Sequence, residues 1–136
     1  MNSSITFNPI GYFKSPQIEP YQAARQPDEL SAPGEIILNS GMNFEQALQN
    51  LKDCSHVWII YHFHHNQNWK PLVQTPRAYE KIGVFATRAP YRPNPIGMTA
   101  VELISVDALT IRVGPNDILD GTPVLDIKPY HPESDR

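Results

Sequence analysis

The sequence predicts a mainly β fold, a small single-domain β-barrel or sandwich with one or two short helices. Short apolar and β-branched runs recur along the 136 residues, prolines punctuate the gaps between them, and no repeated strand-helix-strand pattern is present. The runs are Ile5 to Phe13, Glu35 to Leu38, His56 to Phe63, Gly83 to Thr87, Gly97 to Val106, Leu109 to Val113 and Val124 to Ile127. A doubly wound parallel sheet would need helices between such strands, and only one helix is legible.

The clearest strand is Leu109-Thr110-Ile111-Arg112-Val113. Its alternation places Leu109, Ile111 and Val113 on a buried face and Thr110 and Arg112 outside. Ser105 to Ala108 then holds the turn of an antiparallel pair. The helix starts after Asn43, a residue suited to accept from the backbone N–H near Gln46, and aligns Phe44, Ala47, Leu48 and Leu51 on one side. Ser15 to Gly34 and Asn66 to Pro76 read as long loops, rich in Pro, Gln and Asn and without periodicity. Residues 1–130 make one domain, and 131–136 form a polar, frayed tail.

Composition limits the function. A 40% hydrophobic, 18% charged chain with no apolar run near 18 residues is not built to span a membrane as a helix. The start, MNSSITFNPIGYF, lacks the pattern of a secretory signal, so a cytoplasmic location is expected. Cys54 stands alone and reads as a small core residue. The net charge of −3 argues against clamping a long nucleic acid through many phosphates. No DNA partner is expected, and any RNA contact must be local.

Three groups of residues carry possible chemistry. From Gly83 to Gly97, GVFATRAPYRPNPIG sets Arg88 and Arg92 in a loop stiffened by Pro90, Pro93 and Pro95. Fixed φ angles lower the cost of holding two cations against an anionic group, although a rigid solvated turn explains the same residues equally well. Asp117 to Pro123, DILDGTP, is a dense turn in which Gly121 can take positive φ. Its carboxylates suit a ribose diol, or Asp120 organises its own turn. His56, His62 and His64 share strand parity, which opens a metal reading and with it a metal-dependent small-molecule enzyme, while satisfied strand-end histidines are commoner. Neither a GxGxxG nor a P-loop spacing is present, so a nucleotide-type cofactor would sit outside a Rossmann frame. Arg25 and Gln26, on spacing alone, are surface residues.

Taken together, IGYFKSP, ARQP, HVWIIYHFHH, ATRAPYRPNPIG and DGTPVLDIKPY resemble the tRNA methyltransferase O family, also called TsaA-like or YaeB. The likeness spans nearly the whole chain. It implies a β-barrel-like domain, usually a homodimer, that binds S-adenosyl-L-methionine and methylates N6 of threonylcarbamoyladenosine next to the anticodon of tRNA. It further implies cofactor contacts at Ala24, Arg25, Gln26, His64, His65, Arg88 and Ala100, and at Asp117, Ile118, Leu119, Asp120, Gly121 and Thr122. His64 and Asp120 become the candidate bases, and Tyr91 and Arg92 the candidates for RNA contact. Where the family has a proline, a glutamine and a larger aliphatic residue, this sequence has Ala24, His65 and Ala100. Many bacterial members continue beyond DIKPY into a carboxyl-terminal domain thought to help hold tRNA. A non-catalytic S-adenosylmethionine- or RNA-binding module is the second reading.

Overall fold

In the computed structural model, described over residues 3–16, 32–65, 68–75 and 79–135, alternation becomes architecture most plainly in β3 (His56–His62). Val57, Ile59 and Tyr61 point inward and are buried, while His56, Trp58, Ile60 and His62 stay half-exposed on the outer face. The same two-residue period governs β1 (Gly11–Lys14), β2 (Ala32–Leu38), β6 (Ile96–Asp107), β7 (Thr110–Asn116) and β8 (Pro123–Tyr130). These six strands close into a barrel in the order β1-β2-β7-β6-β3-β8, with every pairing antiparallel. Closure leaves no free sheet edge and encloses one core around Phe13, Ile36, Val57, Ile59, Ile111, Val113 and Val124. Each such side chain contributes roughly 1.5–3 kcal/mol relative to remaining exposed. This is the barrel that the strand pattern predicts.

Several local expectations change. The expected strand Gly83 to Thr87 is only the two-residue β5 (Ile82–Gly83), paired with β4 (Leu72–Val73) inside the expected loop Asn66 to Pro76. It then becomes a tight 3₁₀ turn, Val84–Ala86. The carbonyl of Val84 draws the chain round, accepting from the Thr87 N–H at 3.0 Å and the Thr87 hydroxyl at 2.9 Å. The helix α1 is a single turn, Phe44–Ala47. Asn43 adopts φ 58 and makes no capping bond to the backbone; its amide donates instead to Gln46 Oε1 at 2.9 Å. The Ser105 to Ala108 turn shifts, since β6 runs to Asp107 and the reversal falls on Ala108, at φ 52. In the expected strand Ile5 to Phe13, pairing begins only at Gly11. Over 131–135 the polar tail forms a turn, in which the His131 N–H donates to Asp135 Oδ2 at 2.9 Å and the His131 carbonyl accepts from Ser134 and Asp135. Cys54 is half-buried beside the Leu51–Asp53 3₁₀ turn.

Gly97, the last residue of the RPNPIG run, opens β6 opposite Tyr61. A Cβ there would lie 2.6 Å from the Tyr61 ring and 2.8 Å from the Phe63 ring, two aromatics packed edge to face with centroids 5.4 Å apart. The missing side chain is the space this pair fills. Gly97→Ala is therefore expected to destabilise the fold by about 1–3 kcal/mol in urea denaturation, as overpacking does. A loss below about 0.5 kcal/mol, the range of ordinary surface changes, would show that the rings give way freely.

Candidate functional site

Barrel closure brings four segments to one end of the molecule. The end of β3 continues through Phe63 to His64 and His65, and the Phe63 N–H donates to the Pro95 carbonyl at 2.8 Å, tying the proline-rich loop to this strand. The turn before β8 is stitched to the end of β1: the Gly121 N–H donates to the Phe13 carbonyl at 2.8 Å, and the Phe13 N–H to the Thr122 carbonyl at 2.9 Å. Asp120 Oδ1 accepts from the Ser15 N–H at 2.9 Å. Asp120 thus anchors its turn to another strand and not through a bond within the turn. That local task falls to Asn116, whose Oδ1 accepts from the Ile118 N–H at 2.9 Å. Gly121 takes φ 80, the conformation expected of it.

Within this end, His64 Nδ1 lies 3.3 Å from the Thr122 hydroxyl, and that hydroxyl donates to the Leu119 carbonyl at 2.7 Å. A threonine has one hydroxyl hydrogen. With that hydrogen engaged by Leu119, Thr122 can only accept from His64, which places the imidazole proton on Nδ1 and leaves Nε2 an acceptor. A Cβ at position 121 would lie 4.0 Å from Nε2, an ordinary van der Waals contact, so it is the positive φ and not want of space that selects glycine here. Burial holds the His64 pKa below its usual value; His65, with rings 4.4 Å apart, and His62 act in the same direction, and the Asp120 carboxylate opposes them. His64 is a neutral imidazole near pH 7.

Arg88 is exposed and has no hydrogen-bond or ion-pair partner among the described residues. Its charge and that of Asp117 both act on the buried Tyr61 hydroxyl, which pairs with Thr99 Oγ1 at 3.0 Å and is pushed above its ordinary pKa chiefly by burial. The Asp117 carboxylate and the Arg88 guanidinium thus act on this one phenol with opposite sign. Tyr61 is the residue sequence reasoning missed. The available signal was strand parity, which puts Tyr61 on the face opposite His62, together with the need of a buried tyrosine hydroxyl for a partner. On the outer side of Asp120, Lys14, Ser15, Gly34, Glu35 and Arg112 line an open groove of about 500 Å³.

Other candidates fall elsewhere. Ala24, Arg25 and Gln26 lie outside the described residues. Ile118 turns into the core. Ala100 sits on the outer face of β6 opposite Trp58, four residues along β3 from His62, or roughly 13 Å. Arg92 directs Nη1 into its own loop, donating to the carbonyls of Val84 at 3.1 Å, Thr87 at 2.7 Å and Ala89 at 3.3 Å. Tyr91 lies beneath the Lys70 ammonium, 4.5 Å from the ring centroid. The metal reading loses its geometry, since His56 and His62 occupy opposite ends of β3, about 20 Å apart. Among the described residues no three His, Cys, Asp or Glu side chains gather as a metal site.

These features define a closed antiparallel barrel whose polar groups converge from loops at one end, with no glycine-rich strand-helix turn. The chain belongs to the family described as the tRNA-methyltransferase O N-terminal domain, whose model matches residues 12–136. It is 44% identical to the tRNA (adenine(37)-N6)-methyltransferase of Escherichia coli K12, over 96% of this chain and 59% of that one. It is also 44% identical to a probable S-adenosyl-L-methionine-binding protein of Pyrococcus abyssi, over 96% of this chain and 71% of the other. A crystal structure of TrmO from Pseudomonas aeruginosa superposes with a TM-score of 0.76 at 38% identity, over 98% of this chain and 58% of that one. The chain thus spans under two thirds of the Escherichia coli and Pseudomonas relatives.

The histidine environment is open to direct measurement. In an NMR pH titration His64 is expected to protonate with a midpoint below 6.5, and Asp120→Asn, which removes the opposing charge, should lower that midpoint further. The native state then resists proton uptake, so the His64 contribution to stability is complete above pH 6.5 and is lost as pH falls through the lowered midpoint. A midpoint at or above 6.5 contradicts the burial account.

Proposed function

We propose that this chain is the catalytic domain of an S-adenosyl-L-methionine-dependent methyltransferase acting on N6 of adenine 37 in tRNA. The observation that carries this reading is the exposed Arg88 cation, without a partner among the described residues, on the loop that the Phe63–Pro95 hydrogen bond ties to the end of β3 beside His64. The names borne by the Escherichia coli and Pyrococcus relatives support it.

The donor set fits an amino-acid-bearing nucleoside. Arg88 suits a methionyl carboxylate, and Asp117 suits an amine or a ribose hydroxyl. When bound, S-adenosylmethionine supplies a methyl group on a sulfonium, an already activated donor. The chain's own task is chiefly alignment, which accounts for much of the rate of such a displacement. His64 Nε2, an acceptor on a neutral imidazole, is the base we assign to the proton that N6 sheds. Asp120, its Oδ1 held by Ser15, acts through its charge by keeping that imidazole more basic than burial alone would leave it.

The finer reading is that the acceptor is threonylcarbamoyladenosine, that the protein works in the cytoplasm and that it pairs as a homodimer. For pairing, the outer face of β6 offers Ile96, Met98 and Ile104, all exposed apolar side chains. Among the described residues no helix is long and apolar enough to cross a membrane.

Incubation with methyl-labelled S-adenosylmethionine and tRNA that carries or lacks threonylcarbamoyladenosine should place label in the modified tRNA. Label in neither tRNA, with the cofactor still bound, would leave a non-catalytic binding module. Arg88→Ala is expected to raise the cofactor Kd by about tenfold or more in calorimetry, the effect of removing a charge-assisted contact. An unchanged Kd would reject Arg88 as the carboxylate partner.

A further inference from the structure

The segment from Trp69 to Gly97 holds five of the eleven Lys and Arg residues and one of the fourteen Asp and Glu residues. A chain with net charge −3 therefore concentrates its positive charge on one local feature, the β4-β5 hairpin and the proline-rich loop. Large aromatic side chains lie among these cations and face solvent. Phe85 is 76% exposed and Trp69 50% exposed, and their rings are stacked, 21° from parallel with centroids 6.4 Å apart. The Arg92 guanidinium lies 5.8 Å from the Phe85 ring centroid.

Phe85 does not face solvent for want of a core position. The 3₁₀ turn that replaces the expected strand buries Val84 at 1% exposure and turns Phe85 outward. That turn is fixed by three hydrogen bonds to the Val84 carbonyl, two from Thr87 and one from Arg92. A rigid loop holding a bare phenyl ring in water gains nothing in folding from that ring. Exposed rings interleaved with cations are the chemistry that binds unpaired nucleotides, with bases stacking on the aromatic faces and phosphates meeting the charges.

We propose that Trp69 and Phe85 form a stacking platform for unpaired RNA bases, with Lys70 and Lys81 engaging the phosphates. The inference rests on the methyltransferase reading and extends it. Arg88, three residues beyond Phe85, belongs to the cofactor end of the same loop, so the platform would hold nucleotides flanking the one that is methylated. Arg92 stiffens this surface from beneath, with its Nη1 engaged by the loop's own carbonyls. An A-form duplex buries its base faces and cannot use such a platform, so the preference must be for a loop over a stem.

The test measures affinity for a synthetic anticodon stem-loop, and for an RNA duplex of equal length, by fluorescence anisotropy on the full chain. Phe85→Ala and Trp69→Ala should each weaken stem-loop binding about tenfold, the usual effect of losing one stacking partner. Trp69→Phe should retain affinity while abolishing the quenching of tryptophan emission that the stem-loop causes. Duplex binding, already weaker, should change less than twofold. Calorimetry with S-adenosylmethionine on each variant shows that the cofactor end remains intact, and both substituted side chains are exposed, so folding should be retained. Stem-loop affinity within twofold of the parent chain in both alanine variants overturns the platform. So does a variant that changes oligomeric state in sedimentation while binding RNA normally, which would assign the patch to protein contact. Failure of the parent chain itself to bind the cofactor or methylate tRNA is a separate result and refutes the underlying reading.

Discussion

Closure of the sheet around β3 is the constraint on which the rest depends. This strand pairs with β6 on one side and β8 on the other, and its inward residues Val57 and Ile59 are fully buried. A side chain so placed has no freedom to slip by one position, since a slip would turn all three inward residues out to water. The register of β3 therefore fixes where its last residues emerge. Because β8 is locked to the same strand, the turn before β8 must arrive beside them. The meeting of His64 with Thr122, residues 58 positions apart, follows from hydrophobic packing elsewhere in the barrel.

The polar end then works through directional bonds. Thr122 directs its hydroxyl hydrogen to Leu119 and so settles the tautomer of His64. Asp120 fastens the turn to β1, and Asn116, buried and bonded to the backbone of Ala32 and Gly114 at 3.3 and 2.9 Å, fastens β7 on the other side. Arg88 and Asp117 are charged groups with no hydrogen-bond or ion-pair partner among the described residues. Elements already engaged in structure surround two that are not, which is the pattern expected of a preorganised binding site.

Much of this was legible in the residues. Alternation in Leu109 to Val113 and in His56 to Phe63 gave correct strands because one face of each is buried, and period-two patterning records that directly. Two of the motifs that carry the family likeness, ATRAPYRPNPIG and DGTPVLDIKPY, also supply two of the segments that converge. What failed did so for reasons of competition. Gly83 to Thr87 has the composition of a strand, but hydrogen bonds from Thr87 and Arg92 to one carbonyl outweigh that propensity. Asn43 looked like a cap, yet its own left-handed backbone turned its amide toward Gln46. The shared parity of His56, His62 and His64 said that they lie on one side of a strand, not that they lie near each other. Tyr61 lies in the core by the same alternation, and its buried hydroxyl pairs with Thr99.

The three contacts from Arg92 to the carbonyls of Val84, Thr87 and Ala89 have a further consequence. A single guanidinium nitrogen closes residues 84–92 into a ring whose shape is set from within. Such a ring is fastened to the rest of the chain near its ends, where the Val84 N–H donates to the Pro71 carbonyl at 2.9 Å and the Lys70 N–H to the Tyr91 carbonyl at 3.0 Å. Evolution can then alter the surface it displays, at Phe85 or Tyr91, without renegotiating the fold, provided the arginine and the carbonyls it grips remain together.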